Sequence, residues 1–388
     1  MAIPISYNIR NAIQRPVSTL AAVVGIAMTI MILIGALSLA NGFQAALTST
    51  GSADNVKLLR KGADSEISSG VTRDAASIVR AHDDVAVGED GRPMFSPEVV
   101  VVVVKDRIDG SGSSNVVVRG VDPEAAALRR EVKVTQGRMF APGADEVIVG
   151  SRIAARFAGL AIGDTVKFGQ TSVKVVGSFE AGGSAFDSEV WGDNAVLMPA
   201  FRGDVFQTVV FRMKDPSRFD ALKKELEDDS RLGVQVKRET EFYAAQSEML
   251  ANLVRFIGVF VTAIMGVGAI FGAMNTMFNA VGQRVREISI MLVLGFHPFV
   301  VMLSFLGESV MIALAGGVLG CLLALPLNGL VTSTTNFMAF SEIAFAFQVT
   351  SSTLVAGMIA AGVLGFVGGL LPAWRAARQP LIAGLRGG

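Results

Sequence analysis

Four apolar runs, Val17–Ala40, Phe256–Val281, Phe299–Val331 and Thr353–Leu371, each reach the roughly 20 residues that a helix needs to cross a bilayer. They constrain the fold more than any other feature, because in lipid every backbone N–H and C=O must be satisfied internally. The chain cannot consist of spans alone. It is 51% apolar with 18% charged residues and a mean hydropathy of +0.51, too apolar for an ordinary soluble protein and too polar for an all-membrane one. The first run is longer than the apolar core of a cleavable signal, and "SLANGF" continues into polar sequence without an Ala-x-Ala site, so it reads as an uncleaved signal anchor. The third contains Gly316, Gly317 and Pro326, which predict tilt, a kink or a helix break after Leu325.

Charge orients these spans. Flanks 1–16, 282–298 and 374–388 hold Arg10, Arg15, Arg284, Arg286, Arg375, Arg378 and Arg386 against a single acid, Glu287, whereas 332–352 has no Lys or Arg. The positive-inside rule places both termini and 282–298 in the cytoplasm, and residues 42–250 outside. The formal net charge is zero, so nothing points to a nucleic-acid partner. Ile5, Ile9, Ala12 and Ile13 share a face opposite Asn8, Asn11 and Arg15, which predicts an interfacial helix over 1–16 lying on membrane lipid.

Residues 42–250 alternate between strand-like and short helix-like segments. "NVKLLRKG" reads as a strand and "TRDAASIVRAH" as a helix. "PEVVVVVVKD" and "SNVVVRGVD" form two strands around "RIDGSGS", with Val99–Val104 expected to be covered on both faces. A hairpin is expected at Gly169, and "FQTVVFRMKD", "PSRFDALKKELEDD" and "VQVKRE" form a strand–helix–strand unit. An inserted subdomain is expected over about 122–202. The segment 240–250 lacks breakers, which predicts a helix running directly into the second span. The expected fold class is therefore four transmembrane helices with a mixed α+β extracytoplasmic domain between the first two.

Chemistry-bearing motifs are sparse. No G-x-x-x-x-G-K-[ST] is present, so ATP hydrolysis is expected to belong to another subunit. His82 and His297 are the only histidines and are expected on opposite sides of the membrane; no metal or catalytic set is expected. The lone Cys321 excludes an intrachain disulfide. Asp187, Glu189 and Asp193 in "GGSAFDSEVWGD" read as a solvated loop or contact surface in preference to acid–base or metal chemistry. In 281–298, Val285, Ile288 and Leu292 share an apolar face while Arg284, Arg286 and Glu287 lie towards the others. Spacing alone leaves two readings open: a helix offered to another protein, or an interfacial turn whose arginines meet lipid headgroups.

Three pieces together resemble the MacB/FtsX-like permease family of ABC systems: "SYNIRNAIQRPVSTLAAVVGIAM" with "LANGF", "RVREISIMLVLGF", and "GGLLPAWRAARQPLIAGLR". The outer domain joins them through "EVIVGSRIAARF", "GDTVKFG" and "VKVVGSF". Met291 and Val293 depart from the usual Leu and Ala. The resemblance implies a four-span permease in the bacterial inner membrane, assembled as a dimer with two ATPase subunits that bind ATP and Mg. It would transmit their motion to the periplasmic domain for efflux or extraction of a lipid, lipoprotein, peptide or small hydrophobic molecule. A periplasmic adaptor or carrier and a second permease copy are the further partners implied. By the same resemblance, 283–295 becomes a coupling helix that docks on the ATPase through Arg284, Arg286, Glu287, Ile288, Leu292, Leu294 and Gly295. Glu308, within the third span, is expected to reach the cytoplasmic interface or pair with Arg284 or Arg286 of a neighbour. Glu342 is expected to be solvated, and Gly266, Gly268, Gly362 and Gly365 to allow close helix packing. The alternative is an FtsX-like regulator that activates a cell-wall hydrolase; a ten-span bacitracin-type sensor conflicts with four spans.

Overall fold

The computed structural model describes residues 14–122, 125–169, 171–201, 203–336 and 340–379. Most of the interfacial helix expected over 1–16, and the end of the tail from residue 380, lie outside the described residues. The chain divides into a membrane unit, comprising residues up to Asn41, Asn252–Leu330 and from Phe347 on, and an outer unit, Gly42–Ala251 with Val331–Ala346.

Among the described residues, four helical segments are long and apolar enough to cross a membrane: Pro16–Thr48, Glu239–Gln283, Pro298–Leu327 and Ser351–Ala377. Two of them start where local chemistry dictates. His297 accepts from Phe299 N ahead of Pro298, and Thr350 forms a reciprocal capping box with Thr353. The third span is α-helical to Ala324 and tightens into a 3₁₀ turn at Leu325–Leu327, because Pro326 has no N–H to continue the ladder. Ile26, Ile30 and Ile34 of the first helix pack with Ala313 and Ala361 in one core of this unit. A Cβ at Gly365 would fall 2.4 Å from Ala313 Cβ, and Ser309 Oγ donates to Gly365 O at 2.7 Å, so glycine there sets how closely the third and fourth spans approach. Gly266 also lies against a neighbour, whereas Gly268 faces open space.

The outer unit is built on one ten-stranded sheet. Its strands are β1 (Asn55–Arg60), β2 (Phe95–Asp106), β3 (Ser113–Val121), β4 (Lys133–Gly137), β5 (Glu146–Gly150), β6 (Thr165–Phe168), β7 (Thr171–Glu180), β8 (Glu189–Asp193), β9 (Thr208–Arg212) and β10 (Val234–Arg238). The order is β10-β1-β9-β2-β3-β8-β5-β7-β4, with β6 added to β7. The 12-residue β2 joins two halves: Phe95–Glu98 pair with β9, and Val99–Asp106 pair with β3. One core lies under helices Arg73–Arg80 and Phe219–Asp228 and the other is formed by β3, β5, β7 and β8. Residues 122–202, read as an inserted subdomain, hold β4 to β8, which continue the sheet through the parallel β3–β8 pair and share a core with β3.

Three expectations change. Burial fades along the valine run, from buried Val99 and Val100 to Val104 at 68% exposed, because the β2–β3 ribbon outruns the layer that covers it. Residues 332–352 are not a plain loop: β11 (Val331–Asn336) and β12 (Ser341–Ala346) form an antiparallel hairpin within the outer unit. Glu342 on that hairpin is only 3% exposed, held by Arg107 Nη2 at 2.5 Å and Arg156 Nη2 at 2.9 Å.

Candidate functional site

The helix Val285–Val293 presents two chemically different faces. With 100° per residue, Arg284, Ile288 and Leu292 fall on one side, and Val293, Arg286, Ile290, Leu294 and Glu287 on an arc of roughly 120° opposite. The first side turns inward. Ile288 is fully buried and packs with Met277, Val301 and Phe305 in the second core of the membrane unit, with Leu292 partly buried against it.

Arg284, at the N-cap of this helix, is 4% exposed and donates through Nη1 to Glu308 Oε2 at 2.9 Å and through Nη2 to Glu308 Oε1 at 3.3 Å. Its guanidinium lies 5.8 Å from the Phe305 ring centroid. The partner that Glu308 was expected to find on a neighbour is thus supplied by its own chain. Arg284 and Ile288 hold the helix from within and are not surface available to a partner. A charged residue beside a membrane span stays charged only when paired, and this pairing turns Arg284 away from the exterior.

The second side is open. Arg286, Glu287, Ile290, Val293, Leu294 and Gly295 are exposed. Gly295 has φ +89, a left-handed conformation that ends the helix and that side chains avoid. Ile290 and Val293 were missed in the sequence reading; a full helical wheel, beyond the Val285–Ile288–Leu292 stripe, would have found them.

In the outer unit, sequence reasoning missed a network of buried charge. Arg119 donates to Glu189 through Nε at 2.7 Å and Nη2 at 2.8 Å, and its Nη1 reaches Glu98 at 2.7 Å and Glu66 at 2.8 Å. Arg129 joins Glu98, at 2.5 Å, to Glu239, at 2.9 Å. Lys57 Nζ donates to Glu66 at 2.6 Å and to the Tyr243 hydroxyl at 3.0 Å. All seven charged residues are buried. Burial alone would raise the Glu66 carboxyl, but Arg119 and Lys57 outweigh it and hold Glu66 far below the usual carboxylate range. Burial lowers the Lys57 ammonium despite Glu66 beside it.

Glu239 stands in the first turn of the 45-residue helix Glu239–Gln283, and accepts from Asn55 Nδ2 at 2.8 Å and Ser52 N at 3.1 Å. Gly51, with φ +80, leaves room for it: a Cβ there would lie 2.4 Å from Glu239 Cγ. The acidic loop expected to be solvated is therefore interior. Glu189 belongs to this network, Asp187 accepts from Gly183 N at 2.9 Å and from Ala181 N, and Asp193 caps the helix Asn194–Ala200 through Ala195 N. Backbone donors and arginines satisfy these acids, which is why they can be buried. Among the described residues no group of three or more His, Cys, Asp or Glu side chains is placed to hold a metal ion.

Residues 19–229 match the family described as MacB-like periplasmic core domain, and 259–381 match the FtsX-like permease C-terminal family. The macrolide export ATP-binding/permease protein MacB of Pasteurella multocida (strain Pm70) is 29% identical over 58% of this chain and 35% of its own length. The pyoverdine export ATP-binding/permease protein PvdT of Pseudomonas entomophila (strain L48) is 25% identical over 63% of this chain and 39% of its own length. The chain thus spans well under half the length of these relatives. A solved extracellular domain of the noncanonic ABC-type transporter YknZ from Gram-positive bacteria aligns with 47% of this chain and 99% of that domain, at 16% identity and TM-score 0.36.

Proposed function

This chain belongs to the MacB/FtsX-like permeases of ABC transporters, and from that premise we propose that it is the membrane subunit of an ATP-driven export or extraction system. One observation carries the mechanism: the helix Val285–Val293 has an inner face fixed by Arg284–Glu308 and the Ile288 core, and an exposed outer face of mixed apolar and charged residues. The outer face mixes Ile290, Val293 and Leu294 with Arg286 and Glu287, the composition of a small protein–protein patch in which apolar anchors and charge complementarity act together. The partner proposed for it is an ABC ATPase, two copies per complex, which binds ATP and Mg. A second permease copy and a periplasmic adaptor or carrier complete the assembly. The MacB relatives are named as joint ATP-binding and permease proteins.

ATP-driven closure of the ATPase pair would move the docked helix and, with it, the spans. The helix Glu239–Gln283 is unbroken for 45 residues, so it can carry displacement along its axis without a flexible linker absorbing it. The match of 19–229 to a MacB-like periplasmic core favours export over activation of a cell-wall hydrolase.

Co-purification tests the docking face. Ile290→Asp and Glu287→Lys are expected to lower ATPase retention more than tenfold while the permease still inserts, in line with the roughly 2–5 kcal/mol lost when one partner of a close interfacial contact is removed. Retention at the wild-type level in both variants rejects the assignment. For topology, in a Cys321→Ser background, a cysteine at Ser111 is expected to react with an impermeant maleimide from outside and one at Arg378 only after permeabilisation. Outside labelling at 378 reverses the orientation.

A further inference from the structure

Helices Arg73–Arg80 and Asn194–Ala200 of the outer unit line a cleft of about 470 Å³ whose floor includes Phe95 and Pro97 of β2. We propose that this cleft is a binding site for a small amphipathic anion, one carrying a carboxylate, sulfonate or phosphate group on an aromatic or short aliphatic body.

The charge is the first ground. Arg73 and Arg80 both line the cleft, two helical turns apart, and among the described residues neither is in a salt bridge. Four exposed arginines elsewhere in this unit are ion-paired, Arg92 with Asp90, Arg138 with Glu146, Arg218 with Asp84 and Arg231 with Asp229, whereas exposed Arg60 donates to Ser68 O. The two cleft arginines rest instead on apolar groups. Arg73 Nη2 lies 2.9 Å from Met198 Sδ, and the Arg80 guanidinium is 5.9 Å from the Phe95 ring centroid. Stacked in this way, a guanidinium is positioned by its apolar contact while N–H donors remain for an incoming oxygen. Among the described residues the one acid lining the cleft is Asp122, which accepts from Asn194 Nδ2 at 3.2 Å, and the described lining side chains carry a net charge of +1 from two arginines and one aspartate.

The second ground is shape. Phe95, Phe206 and Met198 give the cleft an apolar body beside its two cations, the combination that fixes an amphiphile by both ends. Its volume lies within the roughly 300–1,000 Å³ typical of small-molecule sites. On the export reading above, on which this last step rests, such anions are the class of cargo presented to the outer unit.

The test is equilibrium binding of 1-naphthoate and of decanoate to the full chain in lipid nanodiscs, with empty nanodiscs subtracted. Saturable binding is expected, falling at least tenfold in R73Q/R80Q, with both probes lost in Met198→Trp, which fills the cleft. The uncharged 1-naphthalenemethanol is expected to be indifferent to R73Q/R80Q. Far-ultraviolet circular dichroism and elution volume identical to wild type confirm that the variants are folded. No saturable excess over empty nanodiscs, or equal naphthoate affinity in wild type and R73Q/R80Q, overturns the site. Naphthoate binding that responds to the variants, with no ATP-dependent movement of the probe by permease plus ATPase, upholds the site and overturns the export reading instead.

Discussion

Replacing Glu239 with Ala is expected to destabilise the outer unit by roughly 3–5 kcal/mol, the usual result of removing one partner from a buried ion pair. The loss has two parts. Arg129 would keep its bond to Glu98 but lose the carboxylate that takes its Nε and Nη2 donors, and Asn55 Nδ2 and Ser52 N would lose their acceptor. None of these groups has water to turn to, because Arg129 and Asn55 are buried. An exposed pair such as Arg231–Asp229 is expected to change stability by less than about 1 kcal/mol when broken. The measurement is guanidinium unfolding followed by tryptophan emission. The chain has two tryptophans, so a Trp374→Phe background leaves only buried Trp191, whose Nε1 donates to Glu189 within the network. The double variant Glu239→Leu/Arg129→Met, which removes the stranded cation along with its partner, is expected to recover part of the loss. A Glu239→Ala loss below about 1 kcal/mol would show that the network is not a closed electrostatic unit.

The same network sets an acid limit. Burial would raise Glu66 and Glu239, but neighbouring cations outweigh it and hold both below their ordinary value of 4.5. A carboxylate depressed in the folded state contributes stability that is fully present above its unfolded pKa and is lost as pH falls through the folded one. Stability of the outer unit is therefore expected to be independent of these groups above about pH 5 and to drop steadily below it. The slope should be smaller in a Glu66→Gln variant.

What the sequence disclosed and what it hid follow from one physical difference. A span is declared by uninterrupted apolar text, and the helix Val285–Val293 by a local period, so both can be read without knowing what lies opposite. Lys57 between Val56 and Leu58, or Arg119 after Val118, reads as the wet face of a strand by the same alternation. In the folded chain that face is covered too. The partners of Lys57 and Arg119 come from positions 9 to 186 residues distant, and no local pattern announces such a pairing. Glu342 was misread for the same reason: its arginines sit more than 180 residues earlier. The proposed docking residues were half legible. The apolar stripe through Ile288 was visible, but whether a stripe faces the chain's own core or a partner is decided by tertiary packing alone.

Replacing Glu308 with Ala is expected to release the helix Val285–Val293 from the membrane unit and lower ATPase retention by more than tenfold, although Glu308 is itself 3% exposed and remote from the exposed docking arc. Arg284 would be left with its guanidinium facing Phe305 and no carboxylate from the third span. Removing one partner of a buried ion pair costs about 3–5 kcal/mol, and a basic group in the apolar part of a bilayer has a similar cost, so the helix end would be driven outward to rehydrate Arg284. That movement displaces Arg286, Glu287, Ile290 and Leu294 together. Three variants separate this positioning role from a role in moving cargo or protons. The exchanged pair Arg284→Glu/Glu308→Arg restores the attraction with its sign reversed and is expected to regain most of the retention. The apolar pair Arg284→Met/Glu308→Leu removes both charges and is expected to keep the helix seated, because well-packed apolar replacements of a buried pair are often neutral. Glu308→Gln keeps the shape but only one weak acceptor, and is expected to fall between wild type and Glu308→Ala. If Glu308 instead acts on cargo or protons, all variants lacking its carboxylate at position 308 would retain the ATPase normally and lose transport alike, and the exchanged pair would rescue nothing. ATPase co-purification measured beside transport on the same four variants decides between the two.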